Sequence, residues 1–109
     1  MSARADKAVR FMLRNETYDY DKNPHKPINE GDGKEYTFWG LTKEDDEKYL
    51  PVPFRTLWDL YEYSKKDLKG AIDVAVGVYI KGYWNPRYDE LINERLAIRL
   101  FDLGVNMGV

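Results

Sequence analysis

The stretch "ARADKAVRFMLRNETYDYD", residues 3–21, decides how the chain begins and raises its sharpest chemical question. Ala5, Ala8, Val9, Met12 and Leu13 recur at the i, i+3, i+4, i+7, i+8 spacing of a single helix face. Arg4, Lys7, Arg10 and Arg14 mark the remaining sides, where charge belongs. Glu16 continues the apolar series, so a helix running that far projects a carboxylate from its buried stripe. Such a group has three fates. It turns outward where the helix frays, it pairs with a cation such as Arg10 or Arg14, or it sits desolvated with a raised pKa. The third fate yields a carboxyl that keeps its proton near neutral pH, as a general acid must. Asp19, Asp21 and Asp32 follow in the next loop, and any of them can supply a second carboxylate. One neutral and one ionised carboxyl are the equipment for breaking a glycosidic bond.

Working outward, 109 residues make one domain, read here as residues 1–109. Seventeen basic against nineteen acidic residues leave a formal charge of −2, which argues against nucleic acid or an anionic membrane as partner. No apolar run approaches the ~20 residues needed to cross a bilayer, and the charged start "MSARADKAVRFML" does not resemble a secretory signal. The expectation is a chain synthesised in the cytoplasm. Without cysteine there are no disulfides or thiol nucleophiles, and no cluster has metal-ligand spacing, so neither metal nor cofactor is expected. Aromatics stand out at 15%, with nine Tyr and three Trp. Tyr and Trp pack cores, and they also join a flat apolar face to a polar edge suited to sugar rings.

Residues 17–40 hold Pro24, Pro27, Gly31 and Gly33 and read as loop with a short hairpin, "GKEYTFWGL" supplying one strand. A helix start follows at Thr42, with Asp45 placed to answer the cap, and the segment ends near Tyr49 ahead of Pro51 and Pro53. Leu57, Leu60 and Tyr61 share another helical face, and Ser64 with Asp67 suggests a cap for the next segment. That segment, "AIDVAVGVYIKGYW", is apolar nearly all round and reads as a buried helix, with a strand as rival. A last helix is expected from about Tyr88 to Leu103, carrying Leu91, Ile92 and Phe101 and stopping at Gly104. The fold class is mainly α with a small strand element after the first helix.

The order of a helix ending in Glu16, Tyr18, a loop rich in Asp, Asn and Pro, "YTFWGLT", "GYWNPRYDEL" and "LFDLGVNMG" resembles glycoside hydrolase family 108, the lysozyme-like muramidases of phages and bacteria, some named secretion activator proteins. The family's Glu-Gly-Gly-Tyr motif is similar to Glu16 and Tyr18, with Thr17 standing where two glycines are expected. Its Thr-Asn-Tyr-Gly-Ile-Thr segment is similar to residues 37–42, its Tyr-Trp pair to Tyr83 and Trp84, and its Phe-Asp-x-x-Val-Asn-x-Gly segment to Phe101, Asp102, Val105, Asn106 and Gly108. The resemblance implies a lysozyme-like domain lacking the C-terminal peptidoglycan-binding-like region of such proteins. It implies an N-acetylmuramidase, an endolysin-type enzyme acting on the glycan strands of peptidoglycan at the cell wall or periplasm, reached with an export helper such as a holin. Glu16 would protonate the leaving oxygen, Asp19 or Asp21 would stabilise the anomeric carbon or activate water, and Thr37 would orient a water or acid. Tyr18, Tyr36 and Trp39 would stack on sugars, with Trp39 in the core as the plainer alternative. Tyr83 would lie mainly in the core with one edge to the cleft, and Asp102 and Asn106 would hold the last helix. Two other readings stay open: a non-catalytic wall-binding or secretion-associated module of the same fold, favoured by Thr17, and a helical domain whose tyrosines pack a partner.

Overall fold

The computed structural model describes residues 3–16, 24–29, 31, 33–90 and 93–107, the side chains of Glu16, Asn106 and Met107 excepted. Helix α1 spans Ala3–Glu16, and its stripe of Ala5, Ala8, Val9, Met12 and Leu13 is buried. Removing that face from water at roughly 25 cal/mol per Å² makes it the anchor of the N-terminal third. Strands β1 (Thr37–Phe38) and β2 (Leu41–Thr42) form an antiparallel hairpin, with Thr37 opposite Thr42 and Phe38 opposite Leu41. A bridge from Ile28 to Thr37 extends it by one residue pair. The sequence suggests a short hairpin with one strand in this stretch; the pairing partner, Leu41–Thr42, follows at once, because Trp39 and Gly40 turn the chain at φ 53° and 79°. Two left-handed residues make the tight turn that matches strand twist. Gly40 is required twice over, since a Cβ there would lie 2.6 Å from the Tyr79 hydroxyl. Trp39 bears the strain of positive φ, and the Tyr79 hydroxyl donates to its carbonyl at 2.8 Å.

Helix α2 (Lys43–Asp46) continues into a 3₁₀ turn at Glu47–Tyr49. Thr42 caps it by accepting from the Asp45 N–H at 3.2 Å. The carboxylate that answers the cap is Asp46, not Asp45, accepting from the Thr42 N–H at 2.7 Å, while Asp45 turns outward to Lys34. Helix α3 (Leu57–Ser64) opens on a capping box in which Thr56 and Asp59 satisfy each other's backbone N–H groups. Helix α4 (Leu68–Tyr83) settles the rivalry at "AIDVAVGVYIKGYW" in favour of the helix: Ala71, Ile72, Ala75, Val76, Val78 and Tyr79 are buried. Its cap is Asp67, accepting from Gly70, because the Ser64 hydroxyl is taken by the carbonyl of Tyr61 within α3.

A 3₁₀ turn at Pro86–Glu90 precedes α5 (Glu94–Met107). The last helix therefore starts later and ends later than the apolar pattern suggests. Asn93 caps it by accepting from Leu96, Trp84 holds the preceding turn through Asp89, and Gly104 lies inside the helix. Leu91 and Ile92 lie outside the described residues. Helix α4 packs on α1, α3 and α5, and α1 packs on α5, around a core that includes Leu13, Leu41, Leu57, Leu60, Tyr79 and Phe101. The described chain is mainly α-helical with one small antiparallel hairpin.

Candidate functional site

Glu16 is the final residue of α1. What lies beside that end follows from how α1 meets α5. The Arg4 guanidinium donates to the carbonyl of Tyr88, just before α5, and Lys7 pairs with Glu94 in its first turn at 3.1 Å. One turn further, Phe11 shares a cavity of about 470 Å³ with Arg95, Ile98, Arg99 and Asp102. Rising positions on α1 meet rising positions on α5, so the helices run side by side in the same direction. At ~1.5 Å per residue, Phe11 and Glu16 stand about 7 Å apart along the axis, and the C-terminal turns of both helices share one end of the domain.

The groove between them has an apolar floor and unsaturated polar walls. Phe11 is 43% exposed, and Ile98 is partly buried. Arg95 and Arg99 are four residues apart on one face of α5, both exposed, and neither has a hydrogen-bonding or ionic partner among the described residues. Oδ1 of Asp102 is closed to solvent and has no donor among the described residues. Sequence reasoning assigns Asp102, with Asn106, to holding the last helix, and the Asn106 side chain lies outside the described residues.

Two carboxylates beside the hairpin are satisfied instead, although the buried Trp39 Nε1–H in its turn has no acceptor among the described residues. Asp46 is 2% exposed, and it accepts from the Tyr83 hydroxyl at 2.7 Å on one oxygen and from the Thr42 N–H at 2.7 Å on the other. Burial, reinforced by that carboxylate, pushes the Tyr83 phenol well above its ordinary pKa. Glu47 accepts from the Tyr36 hydroxyl at 2.5 Å and from the first N–H of α3, at Leu57, at 2.8 Å, which ties the strand entrance to that helix. Burial and Glu47 raise the Tyr36 phenol likewise. Both tyrosines are locked hydrogen-bond donors and cannot serve as proton acceptors near neutral pH.

Of the residues singled out from sequence, Tyr36 lies partly exposed with its ring edge-on to Trp58, at 6.2 Å between centroids. Trp39 is corrected from stacking wall to core: it is 4% exposed and its ring stacks on Phe38, because the left-handed turn folds the indole inward. Thr37 is a half-buried strand residue paired with Thr42 and Ile28. Tyr83 is half-buried and fixed on Asp46. Asn106 lies in α5, with its side chain outside the described residues, as do Thr17, Tyr18, Asp19, Asp21 and Asp32 entirely. His25 is exposed. Two features escape the sequence. Trp58, 40% exposed, forms an aromatic cluster with Tyr36 and Tyr61, detectable in retrospect as a Trp lying off the Leu57–Leu60 face. The Arg95 and Arg99 pair is a plain i, i+4 repeat that becomes informative only when α1 covers the other side.

Among the described residues no group of His, Cys, Asp and Glu is placed to hold a metal ion, and no helix is long and apolar enough to cross a membrane. Compared with protein-family models, curated proteins and solved structures, the chain gives no match.

Proposed function

We propose that the protein is a lysozyme-like glycoside hydrolase, an N-acetylmuramidase that cleaves the glycan strands of peptidoglycan with Glu16 as general acid. The observation that carries the reading is the position of Glu16: it is the last residue of a helix whose apolar stripe, which it continues, is buried throughout. In this reading the carboxyl is sheltered from water, and desolvation of that kind favours the protonated form a general acid needs. The hairpin bearing Thr37 follows along the chain, an order in keeping with the resemblance to family 108. Trp58, 40% exposed, with the half-buried Tyr36 and Tyr61 edge-on to it, gives a partly exposed aromatic face of the kind that stacks on sugar rings. In this reading Glu16 donates its proton to the glycosidic oxygen as the bond to the anomeric carbon breaks, and water completes the hydrolysis. The test is release of reducing ends from purified cell walls by the wild type and by Glu16→Gln, which keeps the shape and removes the proton donor. Turnover is expected to fall at least ~100-fold in the variant. Wall binding without turnover by both proteins would replace the hydrolase with a binding module of the same fold.

A further inference from the structure

We infer that the groove between α1 and α5 is a binding site for the peptide stems attached to the glycan, a ligand carrying free carboxylates and a free ammonium group. The inference rests on the glycan reading above but uses different residues. Arg95 and Arg99 project from one face of α5 and, among the described residues, engage no anion. A guanidinium is a fork of donors matched to a carboxylate, and two of them one turn apart fit two carboxylates on a short extended peptide. Farther along the same groove, the half-buried Asp102 lines the cavity and makes no ion pair among the described residues. A carboxylate without a cation attracts one, and an ammonium on the ligand supplies it. Between these poles lie Phe11 and Ile98, an apolar surface for aliphatic side chains. Two cations, one anion and an apolar floor complement a short peptide rich in carboxylates with one amine. They do not complement an uncharged sugar chain.

The placement agrees with the chemistry. The Lys7–Glu94 pair bounds one end of the groove, and the other leads toward the last turn of α1, where Glu16 sits. A stem bound there would keep the sugar that bears it at the Glu16 end, within the ~7 Å of axial rise separating Phe11 from Glu16. The site would thereby select glycan still carrying its peptides.

The experiment is a calorimetric titration of the full chain with a synthetic stem tetrapeptide containing D-glutamate and a diamino acid. Two modified peptides accompany it, one with its carboxylates amidated and one with its side-chain amine acetylated. Saturable binding is expected, weakened about tenfold by Arg95→Gln and by Arg99→Gln. Amidation of the peptide should abolish the effect of both substitutions. Asp102→Asn should weaken the parent peptide and leave the acetylated one unchanged, and Lys69→Gln, an exposed charge change on α4, should bind as the wild type. All these positions lie at the protein surface or in the groove wall, and a melting curve confirms that each variant folds. Absence of binding by the wild type, or equal binding by all variants, overturns the inference. Because titration needs no turnover, peptide binding by a chain that releases no reducing ends would sink the hydrolase and keep the groove. Turnover without peptide binding would do the reverse.

Discussion

The hairpin region and the α1–α5 groove hold similar chemical groups in contrasting states. Around the hairpin, the Asp46 and Glu47 carboxylates each gather donors from two different places in the chain, and every donor belongs to the protein. In the groove, Asp102 has a buried oxygen with no donor, and Arg95 and Arg99 have no acceptor among the described residues. A saturated polar network in a low-dielectric setting stabilises one arrangement of the chain. An unsaturated one costs stability unless something outside the chain completes it. Saturation, rather than residue type, separates the Asp46 and Glu47 carboxylates, which tie parts of the fold together, from Asp102.

Substitution can break that contrast. Asp46→Ala leaves the Tyr83 hydroxyl and the Thr42 N–H without an acceptor, at about 1–3 kcal/mol each. The expected loss is about 3 kcal/mol, read in thermal unfolding as a fall in Tm of roughly 13 °C. A fall of only ~2 °C would mean that the network is dispensable. Asp102→Asn removes a charge from an oxygen that no donor supports, so stability should not fall and should rise by up to about 1 kcal/mol. A large loss in denaturant unfolding would show that Asp102 belongs with Asp46 after all.

The smallest effect concerns Asp59. The N–H groups of Arg55 and Thr56 hold its carboxyl below the usual carboxylate range. A depressed folded-state pKa stabilises above the unfolded value of about 3.9, and that contribution is lost as pH falls through the folded-state pKa. Asp59→Asn should therefore lower Tm slightly at pH 7 and flatten the fall in Tm below about pH 4. The change is small because the group is exposed and screened. An acid limb as steep as the wild type's would assign it to other carboxylates.

The comparison also explains what could be read without coordinates. The stripe of α1, the Thr42 cap and the α4 segment carry local periodicity or local hydrogen-bond chemistry, so their residues alone point to the structure. The inward rotation of Trp39 was hidden, since it depends on a left-handed turn and on Tyr79, forty positions away in the chain. Asp46 and Asp45 are neighbours of identical type, yet the first is buried against Tyr83 and the Thr42 N–H while the second is a half-buried partner of Lys34. The boundaries of α5 shifted because Asn93 and the Trp84–Asp89 bond, rather than apolar spacing, fix its start. The groove was illegible for the same reason: Phe11 and Ile98 look like ordinary helix residues until the two helices are seen to run in the same direction.

The central claim is tested most directly by incubating purified peptidoglycan with the protein, reducing the products with borodeuteride and locating the label by mass spectrometry. The account predicts deuterium on N-acetylmuramic acid at the newly formed ends, with the signal lost in Glu16→Gln. Fragments unlabelled on the sugar, or labelled equally by wild type and variant, would contradict it.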